Sequence, residues 1–160
     1  MSIPRIGFGY DVHPLVANRP LILGGVHIPY DKGCQGHSDA DVLIHAICDA
    51  LLGAAALGDI GLHFPNTDAR FQNISSVYLL EAVVNMLSNA GYTIGNIDAT
   101  LSLEAPKVNP HVAQMRKLLC PVLKISEDSL SVKATTNEAM GYVGRGEGVN
   151  AYAIAMIFKS

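Results

Sequence analysis

The order of apolar and polar positions divides the chain into helical and strand-like segments. From Ser38 to Leu57, apolar residues recur at the three- and four-residue spacing of a helix, with Ser38 as N-cap and Gly58 as its end. The same spacing predicts a second helix from Ser75 that stops at Gly91. A third helix is predicted over residues 109–119, with a proline in its first turn.

The remaining apolar segments indicate strands. Arg5–Val12 and Leu21–Ile28 are short, β-leaning and separated by a turn, so we expect them to form a hairpin. Ile97–Leu103 alternates apolar and polar residues, and Ser129–Thr135 and Val149–Phe158 also favour strands. Loops are predicted at residues 58–71 and at the glycine-rich residues 137–148. Because strands and helices do not alternate strictly, these elements predict an α+β fold with helices packed on one face of a sheet.

Composition limits the possibilities further. The chain has 160 residues, 49% of them hydrophobic, which suits a single domain over residues 1–160. The formal net charge is −3 and the basic residues are scattered, so we expect no nucleic-acid partner. No apolar run approaches the roughly 20 residues of a membrane span, so no membrane association is expected. Three cysteines without a C-x-x-C pair argue against a disulfide framework or thiolate zinc site and favour a reducing cytoplasm.

The stretch DVHPL carries the first candidate chemistry. Asp11 and His13 are two residues apart, so a strand places both side chains on one face, as an oxygen and a nitrogen ligand. Taken alone, such a pair fits a turn at a strand end better than a metal site.

The first predicted helix adds further candidate ligands. Asp41, His45 and Asp49 are four residues apart and share one stripe, which by itself is equally typical of a solvated helix face. The density of such residues favours a site. An Asp, His, His set is a common zinc arrangement that leaves the fourth position open to a substrate oxygen. The dense region comprises His37, Ser38, Asp39, Asp41, His45, Asp49 and Asp59, whereas His27 and His111 lie outside such clusters.

Residues 131–148, SVKATTNEAMGYVGRGEG, form the third candidate region. They combine hydroxyl groups, the Glu138 carboxylate and the Arg145 guanidinium with glycines that let backbone N–H groups approach an anion. The order of a Walker loop is missing, and GRGEG alone fits a flexible turn equally well. Together the groups indicate a surface that faces phosphate. A chain poor in cations would need divalent ions to neutralise a diphosphate.

Several long motifs in order then carry a family resemblance that runs nearly end to end. They are GYDVHPL, HSDADVLIHAICDALLGAAALGDIG, HFPNTD, EAPKVNPHVAQMR and SVKATTNEAMGYVGRGEG. With these motifs the sequence resembles the 2-C-methyl-D-erythritol 2,4-cyclodiphosphate synthases of the non-mevalonate isoprenoid pathway. The resemblance implies a phosphorus-oxygen lyase. The 2-phosphate of 4-diphosphocytidyl-2-C-methyl-D-erythritol 2-phosphate attacks the β-phosphorus, closes a ring and expels cytidine monophosphate, a reaction that depends on positioning and charge neutralisation.

The resemblance also implies roles for individual residues. Asp11, His13 and His45 would hold zinc, and Glu138 would help to hold a second ion, magnesium or manganese. His37 and Thr136 match positions that stabilise the transition state. Substrate-binding positions comprise Asp11, Val12, His13, His37 and Ser38; Asp59, Ile60 and Gly61 for the methylerythritol part; the loop Phe64, Pro65, Asn66, Thr67 and Asp68; Leu103, Glu104, Ala105, Pro106, Lys107, Val108 and Asn109 for cytidine; Thr135, Thr136, Asn137 and Glu138 for phosphate; and Tyr142 and Arg145.

The resembling family is homotrimeric, with active sites between subunits and the second sheet face packed at the centre of the trimer. Subunit packing would cover a sheet whose last strand is apolar on both faces. Tyr142 and Arg145 match positions at a central cavity where some members bind an isoprenoid diphosphate. This chain departs from the common pattern there, because Tyr10 and Tyr142 stand where phenylalanine is frequent. Asn66 and Asn137 replace a common acid and a common threonine.

Two other functions fit the same residues. In a zinc hydrolase, metal-bound water would replace the attacking phosphate, and the product would be two open phosphates instead of a ring. A non-catalytic trimeric module would bind an isoprenoid diphosphate through Tyr142 and Arg145, and loss of His45 would leave that binding intact.

Overall fold

The structure, a computed structural model, describes residues 3–159. Five strands form one sheet in the order β4-β1-β7-β5-β6, in which only the β5–β6 pair is parallel, and β2 and β3 form a separate antiparallel pair. The strands are β1 (Pro4–Ala17), β2 (Leu21–Leu23), β3 (Val26–Ile28), β4 (Lys32–Cys34), β5 (Tyr92–Ser102), β6 (Leu130–Thr135) and β7 (Gly148–Lys159). The helices are α1 (Val42–Ala54), α2 (Ile60–His63), α3 (Ser76–Asn89), α4 (Val112–Leu123) and α5 (Gly141–Gly144), with 3₁₀ turns at Ala69–Phe71, Asn109–His111 and Glu127–Ser129.

The predicted α+β class is confirmed, because α1, α3 and α4 all pack on one face of the sheet. The predicted hairpin between Arg5–Val12 and Leu21–Ile28 is wrong. Strand β1 pairs with β7 from Pro4 to Pro14, while residues 21–28 fold back on themselves. The reason is the Gly24-Gly25 turn, in which both residues have positive φ angles of 58° and 74°. Two such residues form the tight turn that matches the twist of a two-stranded hairpin.

The helix boundaries also differ from the prediction in places. Helix α1 begins at Val42 with Asp41 as N-cap, so the predicted cap at Ser38 is wrong. Ala40 has a φ of +57°, a left-handed conformation that cannot continue a helix. The second helix is predicted from Ser75, and in the structure Ser75 is the N-cap of α3, which begins at Ser76. The third helix starts with a 3₁₀ turn and its α-helical part continues to Leu123, beyond the predicted end. The two predicted loops contain the short helices α2 and α5.

The other face of the sheet is apolar over β1 and β7. Alternation along β7 buries alanines beneath α1 and turns larger side chains outward. On the β5 and β6 side the same face becomes polar, with an ion pair between Asp98 and Lys133. The apolar half is therefore one continuous surface beside a charged one. Its exposed members are Ile6, Phe8, Tyr10, Val12, Tyr152 and Ile154.

Close packing fixes α1 against β1. A β-carbon at Gly7 would lie 1.9 Å from the Ala50 carbonyl oxygen, and one at Gly9 would lie 1.9 Å from that of Ala46. The helix backbone thus lies directly on the strand backbone, an approach that only glycine permits. This contact sets the position of His45 on α1 relative to the side chains of β1.

Candidate active site

Three side chains from β1 and α1 converge on one point. Asp11 and His13 share the β1 face that looks toward α1, as their spacing predicts. The Asp11 Oδ2 atom lies 2.9 Å from His13 Nε2 and 3.0 Å from His45 Nδ1. The two histidine nitrogens are 3.2 Å apart. Among residues 3–159, these three form the group of acids and histidines whose ligand atoms lie close enough to share a metal ion.

Neighbouring hydrogen bonds determine which ring nitrogens carry protons. His13 Nδ1 lies 2.8 Å from the Gln35 carbonyl oxygen, which can only accept, so this nitrogen donates. His45 Nε2 lies 2.9 Å from the Ser76 hydroxyl, which gives its own hydrogen to Asp39 and therefore accepts from His45. When both rings are neutral, His13 Nε2 and His45 Nδ1 turn lone pairs toward Asp11.

Three electron-rich atoms this close require a positive charge between them. In the metal-free chain, protons supply it. Burial raises the pKa of Asp11, but hydrogen bonds from His13 and His45 outweigh burial and lower that pKa to about 2. Burial lowers the pKa of His13, but the hydrogen bond to Asp11, the charge of Asp11 and the hydrogen bond to Gln35 together outweigh burial and raise that pKa. A tetrahedral zinc ion about 2.0–2.1 Å from each atom would separate the ligand atoms by about 3.3 Å, close to the geometry present.

A cavity of about 210 Å³ opens beside these three side chains. It brings together candidates from five separate sequence segments, including the loop at residues 64–68. His37 Nε2 lies 3.2 Å from the Asp68 carbonyl oxygen, which joins this loop to the edge of the site. Sequence analysis missed Gly36, Phe71 and Leu79, because glycine and apolar side chains carry no chemical signal. The cavity is lined by Asp11, His13, Gly36, His37, Ser38, His45, Ile60, Gly61, Phe64, Asn66, Phe71 and Leu79.

Asp41 and Asp49, the acids of the helical stripe, accept hydrogen bonds from backbone N–H groups. Asp41 is completely buried, and its carboxylate accepts backbone N–H groups of Gly24 and Gly25 at 3.0 and 2.7 Å. Burial raises the pKa of Asp41 to about 6, against the effect of these donors. Asp49 accepts the Ile60 N–H at 2.8 Å and so ties α2 to α1. The stripe is therefore not the solvated face that its spacing allowed, and of its members only His45 reaches the ligand cluster.

A second cavity of about 250 Å³ lies where the parallel strands β5 and β6 end. Glu104 accepts the N–H groups of Asn137 and Ala139 at 3.1 and 3.2 Å, which fixes the turn after β6. In this turn the Thr136 hydroxyl donates to Glu138 at 3.0 Å. The cavity combines residues from the segment predicted to bind cytidine and from the segment predicted to bind phosphate. It is lined by Leu103, Glu104, Pro106, Lys107, Val108, Asn109, Ala134, Thr135 and Thr136.

The two cavities lie at the same end of the sheet but are separate. Asp11 and Leu101 both pair with Ala151, from opposite sides of β7. The cavities have no lining residue in common. Within the described part of one chain, Glu138 does not join the cluster of Asp11, His13 and His45.

Tyr142 and Arg145 lie apart from both cavities. The Tyr142 hydroxyl accepts a hydrogen bond from the Asn150 amide at 2.8 Å on the outer sheet face. Beside it, the rings of Tyr10 and Tyr152 have centroids 5.3 Å apart, and the hydrogen bond to Tyr142 raises the pKa of Tyr10. The Arg145 guanidinium pairs with Glu147 at 2.8 Å.

Comparison with known proteins shows the family of this chain. The profile of the YgbB family matches residues 4–158. The 2-C-methyl-D-erythritol 2,4-cyclodiphosphate synthase of Cytophaga hutchinsonii is 56% identical over 97% of this chain and 98% of its own length. The bifunctional IspDF of Campylobacter jejuni has a TM-score of 0.96 and 38% identity over the whole of this chain, which covers 43% of that protein. The CDP complex of Plasmodium falciparum IspF has a TM-score of 0.87 and 31% identity, with 98% and 97% of the two chains covered. The chain therefore belongs to the YgbB family.

Proposed function

We propose that the protein converts 4-diphosphocytidyl-2-C-methyl-D-erythritol 2-phosphate into 2-C-methyl-D-erythritol 2,4-cyclodiphosphate and cytidine monophosphate. The reaction is a phosphorus-oxygen lyase step of non-mevalonate isoprenoid biosynthesis. Family membership and the names of the relatives support the reaction. The observation that carries it is the convergence of Asp11, His13 and His45 at the wall of a cavity. Their ligand atoms are placed to hold a cation, and a cation bound there would neutralise the charge of a diphosphate.

The chemical types of the three proposed ligands support zinc as the bound ion. One carboxylate and two imidazoles are typical zinc ligands, and three protein ligands leave a position open for a substrate oxygen. Glu138 contributes to a second site, for magnesium or manganese. When bound, the two ions polarise phosphorus–oxygen bonds and neutralise the diphosphate. The chain itself fixes the directions of the ligand atoms through the partners of His13 and His45.

Other residues bind and orient the substrate in this proposal. His37 and Thr136 direct polar hydrogens at the charge that develops in the transition state. Asp59–Gly61 and the loop at residues 64–68 enclose the methylerythritol part, and the cavity with Lys107 accepts the cytidine part. The structure of Plasmodium falciparum IspF is a complex with CDP, which supports a cytidine-linked substrate for this chain.

A homotrimer completes the proposed site. Because one chain separates its two cavities, we assign each active site to the metal pocket of one subunit and the cytidine cavity of a neighbour. The apolar half of the outer sheet face supplies the contact surface. Tyr142 and Arg145 then border a central cavity suited to an isoprenoid diphosphate.

A cytoplasmic location also belongs to the proposal. Cys34, Cys48 and Cys120 are all buried free thiols, which suits a reducing compartment. Among residues 3–159, no helix is both long and apolar enough to cross a membrane.

Phosphorus NMR of the products formed from the cytidyl substrate tests the reaction. We expect the signals of a cyclic diphosphate and of cytidine monophosphate. Two open phosphates would establish the hydrolase instead, and an absence of turnover together with isoprenoid diphosphate binding would establish the non-catalytic module.

Replacement of a metal ligand provides the matching control. His45→Ala should abolish zinc retention and cyclisation without disassembling the trimer. His27→Ala removes an exposed histidine of β3 and should change neither. A His45→Ala protein that stayed loaded with zinc and fully active would refute the ligand assignment.

A further inference from the structure

A chain of hydrogen bonds continues from His45 into the protein, on the side away from the cavity. The fully buried Ser76, at the start of α3, lies 2.9 Å from His45 Nε2 through its hydroxyl oxygen. The same hydroxyl donates to Asp39 Oδ1, and the backbone N–H of Ser76 donates to Asp39 Oδ2 at 2.9 Å. Both oxygens of one carboxylate therefore hold Ser76.

The number of available hydrogens determines which group donates and which accepts in each of these hydrogen bonds. A hydroxyl has one hydrogen and a carboxylate can only accept, so Ser76 gives its hydrogen to Asp39. The lone pairs of the Ser76 oxygen then remain for the N–H of His45 Nε2. Ser38 also approaches this nitrogen, at 3.3 Å, but its hydroxyl has no carboxylate partner in the structure and can rotate to donate or accept. Asp39 is thus the group that decides the tautomer.

We propose that Asp39 is a positioning residue that, through the Ser76 hydroxyl, keeps the proton of His45 on Nε2 and its Nδ1 lone pair free for the metal ion. This inference rests on the proposed role of His45 as a metal ligand. Without the Asp39 carboxylate, Ser76 can donate to Nε2, and the proton moves to Nδ1. There it would donate to Asp11 Oδ2, only 3.0 Å away, and the ligand atom would be blocked.

Metal affinity is the first measurement. Zinc binding to the purified protein is followed by competition with a chromogenic chelator. Asp39→Asn offers an amide that can donate to Ser76, so we expect zinc affinity to fall about 10- to 100-fold, the range known for partners of metal-bound histidines. Asp31→Asn removes the same charge from an exposed loop and should leave the affinity unchanged.

A double-mutant cycle separates the hydrogen-bond chain from a simple charge effect. Ser76→Ala leaves the Asp39 charge in place but breaks the chain, and we expect a similar loss of zinc affinity. Asp39→Asn combined with Ser76→Ala should then lose little more than either variant alone, because both remove the same link. Losses that simply add would show that Asp39 acts through its charge, and would overturn the proposal.

Nitrogen-15 NMR of the histidine rings reads the tautomer directly. In the metal-free protein, at a pH where His45 is neutral, we expect the wild type to carry its proton on Nε2 and Asp39→Asn to carry it on Nδ1. An unchanged tautomer in a folded Asp39→Asn protein would refute the proposal while leaving the metal site intact. Failure of the wild type to bind zinc would instead refute the proposed metal site itself.

Discussion

At the scale of single residues, the site depends on the direction of each polar hydrogen. His13 and His45 are each held from behind by an acceptor, so in the neutral rings the other nitrogens point lone pairs at Asp11. In the second cavity, the hydrogen bond from the Thr136 hydroxyl to Glu138 is exposed to solvent. The hydroxyl can therefore rotate from Glu138 to a substrate oxygen. Such a donor contributes most where negative charge grows during the reaction.

Thr136→Ala should therefore slow turnover more than it weakens substrate binding. We expect kcat to fall about 100-fold with a much smaller change in substrate affinity, because the lost contact strengthens in the transition state. Steady-state kinetics with substrate titration measure both quantities. Thr93→Ala, at an exposed position of β5, is the control. A loss of affinity with unchanged kcat would contradict the proposed role.

Sequence reasoning identified the ligands of the candidate metal centre but not the groups behind them. The structure brings Asp11, His13 and His45 into one close group, whereas their role as metal ligands and the part assigned to Glu138 remain predictions. Ser76 and Asp39 are 37 positions apart, so no local spacing reveals their contact. Asp41 has the spacing of a ligand, yet its carboxylate accepts hydrogen bonds from backbone N–H groups in the turn between β2 and β3.

At the scale of elements, the contact between β1 and α1 fixes the candidate metal site. Strand β1 carries Asp11 and His13, and α1 carries His45, so a small displacement of the helix separates the ligands. Gly7 and Gly9 leave no space for a side chain between the two backbones.

Gly9→Ala should force α1 away from β1. Overpacking of this kind costs about 1–3 kcal/mol of unfolding free energy, and zinc affinity should fall with it. Gly53→Ala is the matched control, because its β-carbon would meet only the Phe8 carbonyl oxygen at 3.9 Å. Alanine there should add about 0.5–1 kcal/mol through helix propensity. Urea unfolding and chelator competition measure the two effects, and equal behaviour of both variants would contradict this account of the contact.

Local patterns predicted most elements, and long-range pairing explains the exceptions. The period of the apolar residues identified α1 and α3, a segment opened by proline identified α4, and alternation identified the second half of β5. The partner of β1 was predicted wrongly because two β-leaning segments adjacent in sequence favour a hairpin. In the structure β1 pairs with β7, from the other end of the chain, and this pairing depends on burial that no local window contains.

At the scale of the whole molecule, the outer sheet face is divided into an apolar and a polar half. Ile6 and Phe8 are 70% and 62% exposed in the single chain, although they are large and apolar. Packing of this face against other copies would remove it from water and join the cavities of neighbouring chains.

Phe8→Glu should disrupt that assembly. A charge at the centre of an apolar contact remains unpaired and costs several kcal/mol on burial, so we expect monomers where the wild type forms trimers. Light scattering after gel filtration measures the mass. The control is Tyr78→Glu on the exposed surface of α3, at the opposite side of the sheet, which should remain trimeric. A trimeric Phe8→Glu protein would exclude this face as the contact.

The central claim is that Asp11, His13 and His45 hold a cation between their lone pairs. Anomalous X-ray diffraction at the zinc edge, from crystals of the protein grown with zinc, tests it most directly. The account predicts one strong peak about 2.0–2.1 Å from His13 Nε2, His45 Nδ1 and Asp11 Oδ2. Zinc bound elsewhere in the crystal, with no anomalous density between these three atoms, would contradict it.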